Sequence, residues 1–293
     1  MFLIEIIPIV NLPKEIDQIL FYYANENIQK GSIVSIKLNN ANIYGLVISS
    51  TNLLTNKTLI KKSKFKLKKI SKIILNKNIL TQEYFNLINF FSLYYNCNLS
   101  KTIKTLLPSN IKSLTNYLIK ETEAKETKIT QKQTTNDYFL NKILPYLYTN
   151  IENKKQTLIL CPTVDHAEYI ENNLKNIFEN LFNINKQSNL NKTWQALLNN
   201  QPCIIIGNKK SIFLPFSNLA NIVVVDYDSD YYKSWDQKPY YNTITLAKYL
   251  SKQTNSQLII QTNEFSYLKL KNQSYTLIKP EKKDIQTDIV IHK

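Results

Sequence analysis

The sequence predicts an α+β protein of more than one domain, and two observations carry that reading. Residues 2–50 alternate apolar and polar side chains in short runs broken near Pro13, Gly31 and Asn39–Asn40, the period-two signature of half-buried strands. From about residue 137 the rhythm changes. TLILCP (157–162), CIIIG (203–207), NIVVVD (221–226) and QLIIQT (257–262) are short, apolar and β-rich, with helical stretches such as 165–182 and 242–252 between them. Alternation of that kind argues for a parallel sheet covered on both faces. At 293 residues the chain has room for roughly two or three domains.

The elements follow in order. MFLIEIIPIV carries Glu5 and has neither a basic leader nor a small-residue cleavage site, so it reads as a first strand and not as a secretory signal. SIVSIKL (32–38) and IYGLVIS (43–49) make a hairpin, and residues 1–75 form a small, mostly β domain. NKTLIKKSKFKLKKISK (56–72) interleaves eight lysines with apolar residues and contains no acid. A solvated face is the ordinary reading of such a run, but the missing counter-charge favours phosphate contact. Thr81 is placed to cap a helix over QEYFNLINFFSLYYN, with Glu83 in its first turn, and Ser100 to cap a second that stops at Pro108. Two short helices after a β segment fit a winged-helix module at 76–115. Beyond Ile119 periodicity fades into polar sequence, and 116–136 reads as a linker. DYFLNKILPYLY is a helix in which Pro145 is a kink or an early stop, opening an α/β lobe over 137–293. The carboxyl ends of parallel strands face a ligand crevice, which places Asp226 and Asp228 there.

Composition narrows the function. The net charge is +15 and every basic residue is a lysine. Residues 1–120 hold 16 lysines against 5 acids, the remainder 21 against 17. An AT-rich coding bias accounts for lysine in place of arginine but not for acids being scarce in one half only, so a polyanion partner is favoured. Only three glycines occur, Gly31, Gly45 and Gly207, and no pair has the spacing of a phosphate-cradling loop. With no arginine, a transition-state arginine finger and bidentate guanine readout are excluded. Cys97, Cys161 and Cys203 lie far apart with only His166 and His292 to join them, which points to reduced cytoplasmic thiols and disfavours zinc. No apolar run approaches the ~18 residues of a membrane span.

The order of pieces resembles the primosomal protein N′ (PriA) family of replication-restart helicases. LYYNCNLSKTIKTLLP (93–108) is similar to the family's Tyr-Tyr…Leu-Gly…Leu-Pro signature, with Ser100 where glycine is usual. LILCP (158–162) looks like its Val-Pro-Glu strand. IIIGNKKSIFLPFSNLANIVVVDYDSDYYKSW (204–235) parallels its Gly-Thr-Arg-Ser-Ala-Leu-Phe-x-Pro-Phe…Ile-Asp-Glu-Glu-His-Asp block. The resemblance implies a 3′-DNA-binding domain, a winged helix and a RecA-like first helicase lobe. It stops short of the family's zinc-binding cysteines and second lobe, so half of the nucleotide site is expected to be missing.

The departures fall on catalytic positions. ITQKQTT (129–135) stands where the family has its phosphate loop, and QTNEF (261–265) where it has Gly-Ser-Ala-Thr-Pro. The acid box becomes Asp226, Tyr227, Asp228 and Ser229. Asp226 keeps the magnesium position, whereas Tyr227 replaces the water-activating glutamate, and a phenol with pKa near ~10 is a poor base at neutral pH. Asp226, Asp228 and Asp230 alone offer a divalent ion too few ligands for nuclease chemistry. Catalytic residues, metal and cofactor are therefore expected to be absent, although the family uses ATP and magnesium.

What the resemblance leaves is binding. The family's 3′-end pocket aligns with Leu20, Phe21 and Tyr22, with Gly31 and with Lys68, Phe21 standing where an aspartate would accept the terminal hydroxyl. Lys61, Lys62, Lys64, Lys66 and Lys69 extend the basic face. Tyr231, Tyr232, Trp235, Tyr240 and Tyr241, with Lys233 among them, match an aromatic-rich loop suited to single-strand stacking. The expected partner is forked or single-stranded DNA, with other primosome proteins or single-strand-binding protein as further candidates and no membrane. The alternative is an ATP-dependent 3′–5′ helicase subunit completed by another chain.

Overall fold

The structure is a computed structural model that describes residues 1–53, 67–120, 134–236, 238–262 and 276–278. It contains a mixed sheet and a parallel sheet together with helices, an α+β arrangement. The first sheet comprises β1 (Phe2–Pro8), β2 (Leu20–Ala24), β3 (Ile33–Leu38), β4 (Ala41–Asn52), β5 (Lys68–Lys69) and β6 (Lys72–Leu75), in the order β5-β2-β1-β4-β3-β6. The expected hairpin is β3–β4, whose register closes at Leu38 opposite Ala41. Asn39 takes φ 53 there, a left-handed conformation that Asn tolerates.

The sheet rolls up because the chain steps directly from one edge to the other. Ile70 N donates to Tyr23 O (3.0 Å), and the next residue, Ser71 N, donates to Ser35 O (3.0 Å). Alternate residues therefore fill an interior of Ile4, Ile6, Tyr22, Val34, Ile36, Val47 and Ile70. Gly31, just ahead of β3, has φ +84, and an added Cβ would lie 1.9 Å from Asn78 Oδ1, so a side chain there would be strained.

Three helices follow: α1 (Gln82–Tyr94), α2 (Leu99–Leu106) and α3 (Ile111–Ile119). Thr81 caps α1 as expected, accepting from Tyr84 N. Ser100 does not cap α2. The cap position is Asn98, and Ser100 is buried in the first turn, its hydroxyl donating to Gln18 Oε1 at 2.7 Å. That bond, with Leu12 N donating to Ser100 Oγ and Asn98 Nδ2 to Leu12 O, ties α2 to the loop between β1 and β2. The third helix was not anticipated. It occupies 116–119, the first positions of the expected linker, because Ile111, Leu114, Thr115 and Leu118 form one buried stripe; residues 121–133 of that linker lie outside the described residues.

The second sheet is parallel throughout, in the order β12-β11-β10-β7-β9-β8. Its strands are β7 (Gln156–Leu160), β8 (Leu181–Asn183), β9 (Cys203–Gly207), β10 (Leu219–Val224), β11 (Gln257–Gln261) and β12 (Thr276–Ile278). Alternate strand residues face opposite ways. Ile159, Ile204, Ile206, Val223 and Ile259 pack with α4 (Tyr138–Glu152) and α5 (Val164–Leu174). Leu158, Ile205, Ile222, Val224 and Ile260 pack with α6 (Gln187–Leu198) and α7 (Thr243–Thr254). Burial on both faces is why these strands read as unbroken apolar runs.

Pro145 neither stops nor shortens α4, which continues to Glu152. An interior proline costs about 3 kcal/mol, but Leu140, Ile143, Leu144, Leu147 and Ile151 are buried along the helix, and each contributes roughly 1.5–3 kcal/mol. The core on the α6/α7 face continues through α1–α3 to Ile7, Ile33, Leu46 and Leu75 of the first sheet. Phe90 of α1 stacks on Tyr249 of α7 with ring centroids 3.9 Å apart. The two sheets thus share one apolar core through the helices between them. Among the described residues no helix is long and apolar enough to cross a membrane.

Candidate nucleic-acid interface

On the first sheet, the parity of β2 separates the expected binding residues. Leu20 and Tyr22 pack toward the interior, where Tyr22 is buried and its hydroxyl donates to Lys37 O at 3.0 Å. Phe21 lies on the opposite face, half-buried, with Tyr23 two residues on. Lys68 and Lys69 are exposed and pair with Tyr22 and Tyr23 across β5. Pairing therefore places Lys69 on the outward face with Phe21 and Tyr23, whereas Lys68, though exposed, registers with the inward Tyr22. Tyr22 and Gly31 are both buried. Tyr23 was not singled out from the sequence, although strand alternation places it with Phe21. Lys61, Lys62, Lys64 and Lys66 lie outside the described residues.

The acid strand ends in a tight turn. Asp226 takes φ 48 and its N–H donates to Gln261 Oε1 at 2.6 Å. Tyr227 N donates to Gln261 O and Ser229 N to Asp226 O. Asp228 accepts a hydrogen bond from Thr262 Oγ1. Tyr227 is buried in the core beside Val224, with Lys248 Nζ 5.4 Å from its ring centroid. Tyr227, which the sequence reading set at the water-activating position, is thus a core side chain. Among the described residues no group of three His, Cys, Asp or Glu is placed to hold a metal ion.

The start of α4 is the other position where nucleotide phosphate would be sought, because a helix N-terminus presents free N–H groups to anions. Here the chain closes it. Asp137 Oδ1 accepts from Leu140 N (2.8 Å), and Oδ2 accepts from the Tyr169 hydroxyl (2.9 Å). That hydrogen bond, followed by burial and the carboxylate charge, raises the Tyr169 pKa above its ordinary value. Thr135 N donates to Asn141 Oδ1 and Asn141 Nδ2 to Thr135 O, folding the entering chain across the first turn. An arriving phosphate would meet a carboxylate.

The aromatic loop divides in two. Tyr231, Trp235 and Tyr240 are 69%, 68% and 52% exposed. Tyr232 and Tyr241 are core residues. The Tyr232 hydroxyl is shared between Val225 O (2.6 Å) and Leu160 O (2.8 Å), and burial holds its pKa well above the ordinary phenol value. Tyr241 packs on Phe91 and Phe213. Ser234 N donates to Tyr241 O, and Lys233 bridges to Asn242, so the loop is held at both ends. Lys233 pairs with Asp230 at 2.7 Å and lies 5.4 Å from the Trp235 ring centroid. Three exposed rings on a pinned loop can stack on unpaired bases.

Sequence reading missed a cleft of about 660 Å³ between α2, the 3-10 turn Lys209–Phe213 and the residues Ser234, Asp236, Lys238, Pro239 and Tyr241. Lys101 and Lys104 line it from α2, Lys209, Lys210 and Lys238 from the second half of the chain. No local signal joins lysines a hundred positions apart.

Residues 9–108, from the end of β1 through α2, match the family model of the PriA 3′DNA-binding domain (3′BD). The replication restart protein PriA of Helicobacter pylori strain 26695 is 25% identical over 297 positions, covering 94% of this chain and 46% of the relative. The protein of the same name from strain J99 is 24% identical over the same span. The chain is PriA-like along almost all of its sequence and spans about half the length of these curated relatives.

Proposed function

We propose that this PriA-like chain is a DNA-binding protein of the replication-restart type, which holds forked or single-stranded DNA and does not hydrolyse ATP. The observation that carries the binding half is the match of residues 9–108 to a 3′DNA-binding domain, the stretch that also holds most of the excess positive charge. In this reading Phe21, Tyr23 and Lys69 face the DNA on the first sheet, with Lys68 exposed beside them. Tyr231, Trp235 and Tyr240 form a stacking platform for a displaced strand. Lysine contacts to phosphate release counterions, so binding is guided by DNA structure and falls steeply with salt.

Three features support the loss of ATP chemistry. Tyr227 is packed in the core, and Asp137 occupies the N-terminus of α4. The third is topological. In a phosphate loop the strand before the helix belongs to the sheet. From β12 to β8 each described neighbour is hydrogen-bonded to the next, so a strand preceding α4 could join only at an edge. The second sheet is then a degenerate RecA-like lobe used as a scaffold, with primosome proteins or single-strand-binding protein as candidate partners in the cytoplasm.

The test is fluorescence anisotropy on a fork with a recessed 3′ end against plain duplex of equal length, titrated across salt without nucleotide. Tighter fork binding that weakens with salt is expected. Equal, weak binding to both would overturn the reading, as would DNA-stimulated ATP turnover for its second half.

A further inference from the structure

We propose that the lysine-walled cleft between α2 and the turn Lys209–Phe213 is a second DNA site, one that grips the phosphate backbone of a single strand, and that Asp236 is its internal competitor. The proposal rests on the DNA-binding reading above and adds a path for the strand.

The walls come from two parts of the chain. Lys101 and Lys104 lie one helical turn apart on α2, facing Lys209 and Lys210, with Lys238 from the aromatic loop. Among the described lining residues the one carboxylate is Asp236. Its Oδ1 lies 3.6 Å from Lys209 Nζ while its side chain is 69% exposed, so it partly neutralises the wall from a position that a phosphate can take. Such a pair, open to water, is weak, and exchanging it for phosphate loses little.

Size and surroundings select the occupant. About 660 Å³ falls in the range that holds a compact ligand, equivalent to a few nucleotides of one strand and too small for a duplex. Leu107, Pro108 and Val164 supply apolar surface beside the charges, as sugars and bases need. Ser234, Asp236, Lys238, Pro239 and Tyr241 line the cleft, and their chain neighbours Trp235 and Tyr240 carry exposed rings, so a strand leaving the cleft meets a stacking surface. The cleft is lined by α2 on one side and by the second half of the chain on the other, which makes binding there a clamp between the two.

The experiment is anisotropy of a labelled oligothymidylate with a blocked 3′ end, titrated across salt with the full chain. The double variants K101A/K104A and K209A/K210A should each flatten the slope of log K against log salt by about 1.4, two phosphates at ~0.7 each. Asp236→Asn should bind several-fold tighter, a gain that misfolding cannot mimic. Slopes unchanged in both double variants, or no gain in Asp236→Asn, would overturn the proposal. If fork preference survives while the oligothymidylate slopes do not move, the cleft is wrong and the DNA-binding reading stands. If the wild type binds neither probe, both fail.

Discussion

The Tyr232 hydroxyl lies 2.6 Å from the Val225 carbonyl oxygen, which fastens the aromatic loop to the residue that precedes the acid turn. Tyr232→Phe keeps the ring and removes the donor, leaving the Val225 and Leu160 carbonyls without it in a buried place. A loss of about 1–2 kcal/mol in urea unfolding is expected. Single-strand binding should fall only modestly, because the exposed rings remain.

Trp235→Ala and Tyr231→Ala test those rings. Each is more than two-thirds exposed, so stability should hold within about 0.5 kcal/mol. Loss of a stacked base corresponds to about 1–3 kcal/mol in affinity for single-stranded DNA, read by the same anisotropy titration. Tyr241→Ala should behave in the opposite way, lowering stability through lost packing on Phe91 and Phe213.

Gly31 separates a packing role from a DNA contact. Gly31→Ala places a methyl group against Asn78 and puts a non-glycine residue at φ +84. The left-handed conformation alone costs about 1–2 kcal/mol, so a thermal-melt shift should appear without any DNA present. A variant of wild-type stability that binds forks less well would assign Gly31 to the interface.

Glu171 gives a pH prediction. Burial opposes its ionisation, but hydrogen bonds from Lys186 and Asn183 and the lysine charges outweigh it, and its pKa is lowered. A carboxylate depressed in the folded state contributes stability above its unfolded pKa and loses it as pH falls through the folded value. Glu171→Gln should therefore cost about 0.5–1 kcal/mol at pH 7, Lys186 being half exposed. The difference from wild type should shrink through the acidic carboxylate range, measured by urea midpoints at several pH values.

How much the sequence disclosed follows from which signals are local. The central strands of the parallel sheet were legible because burial on both faces writes apolar runs. By contrast, β8 and β12 span three residues each, too short for a pattern, and α6 hides its buried Trp194 among Asn and Gln. Of the two outcomes open at Pro145, the early stop is overturned, because tertiary burial overrides a local penalty. At the site, the acidic turn Asp226–Ser229 at the end of an apolar strand was readable in one line of sequence. Which tyrosines are core was not, since Tyr231 and Tyr232 are adjacent and face opposite environments. The cleft lysines come from distant segments, and only folding brings them together.

The same distinction decides what one substitution at the acid turn should do if the proposed scaffold reading holds. Tyr227→Glu recreates the Asp-Glu pair on paper. In the fold it places a carboxylate beside Val224 in the core, where an unpaired charge is costly, while Asp137 still caps α4 and accepts from Leu140 N. The expected result is a destabilised variant, by about 2 kcal/mol or more in urea unfolding, with no ATP turnover at any DNA concentration. Magnesium-ATP should likewise leave the melting temperature of the wild type unchanged, since ligand binding to the native state would raise it. ATP turnover by Tyr227→Glu would mean that the side chain at this position reaches a nucleotide, and the scaffold reading of the second sheet would fall with it.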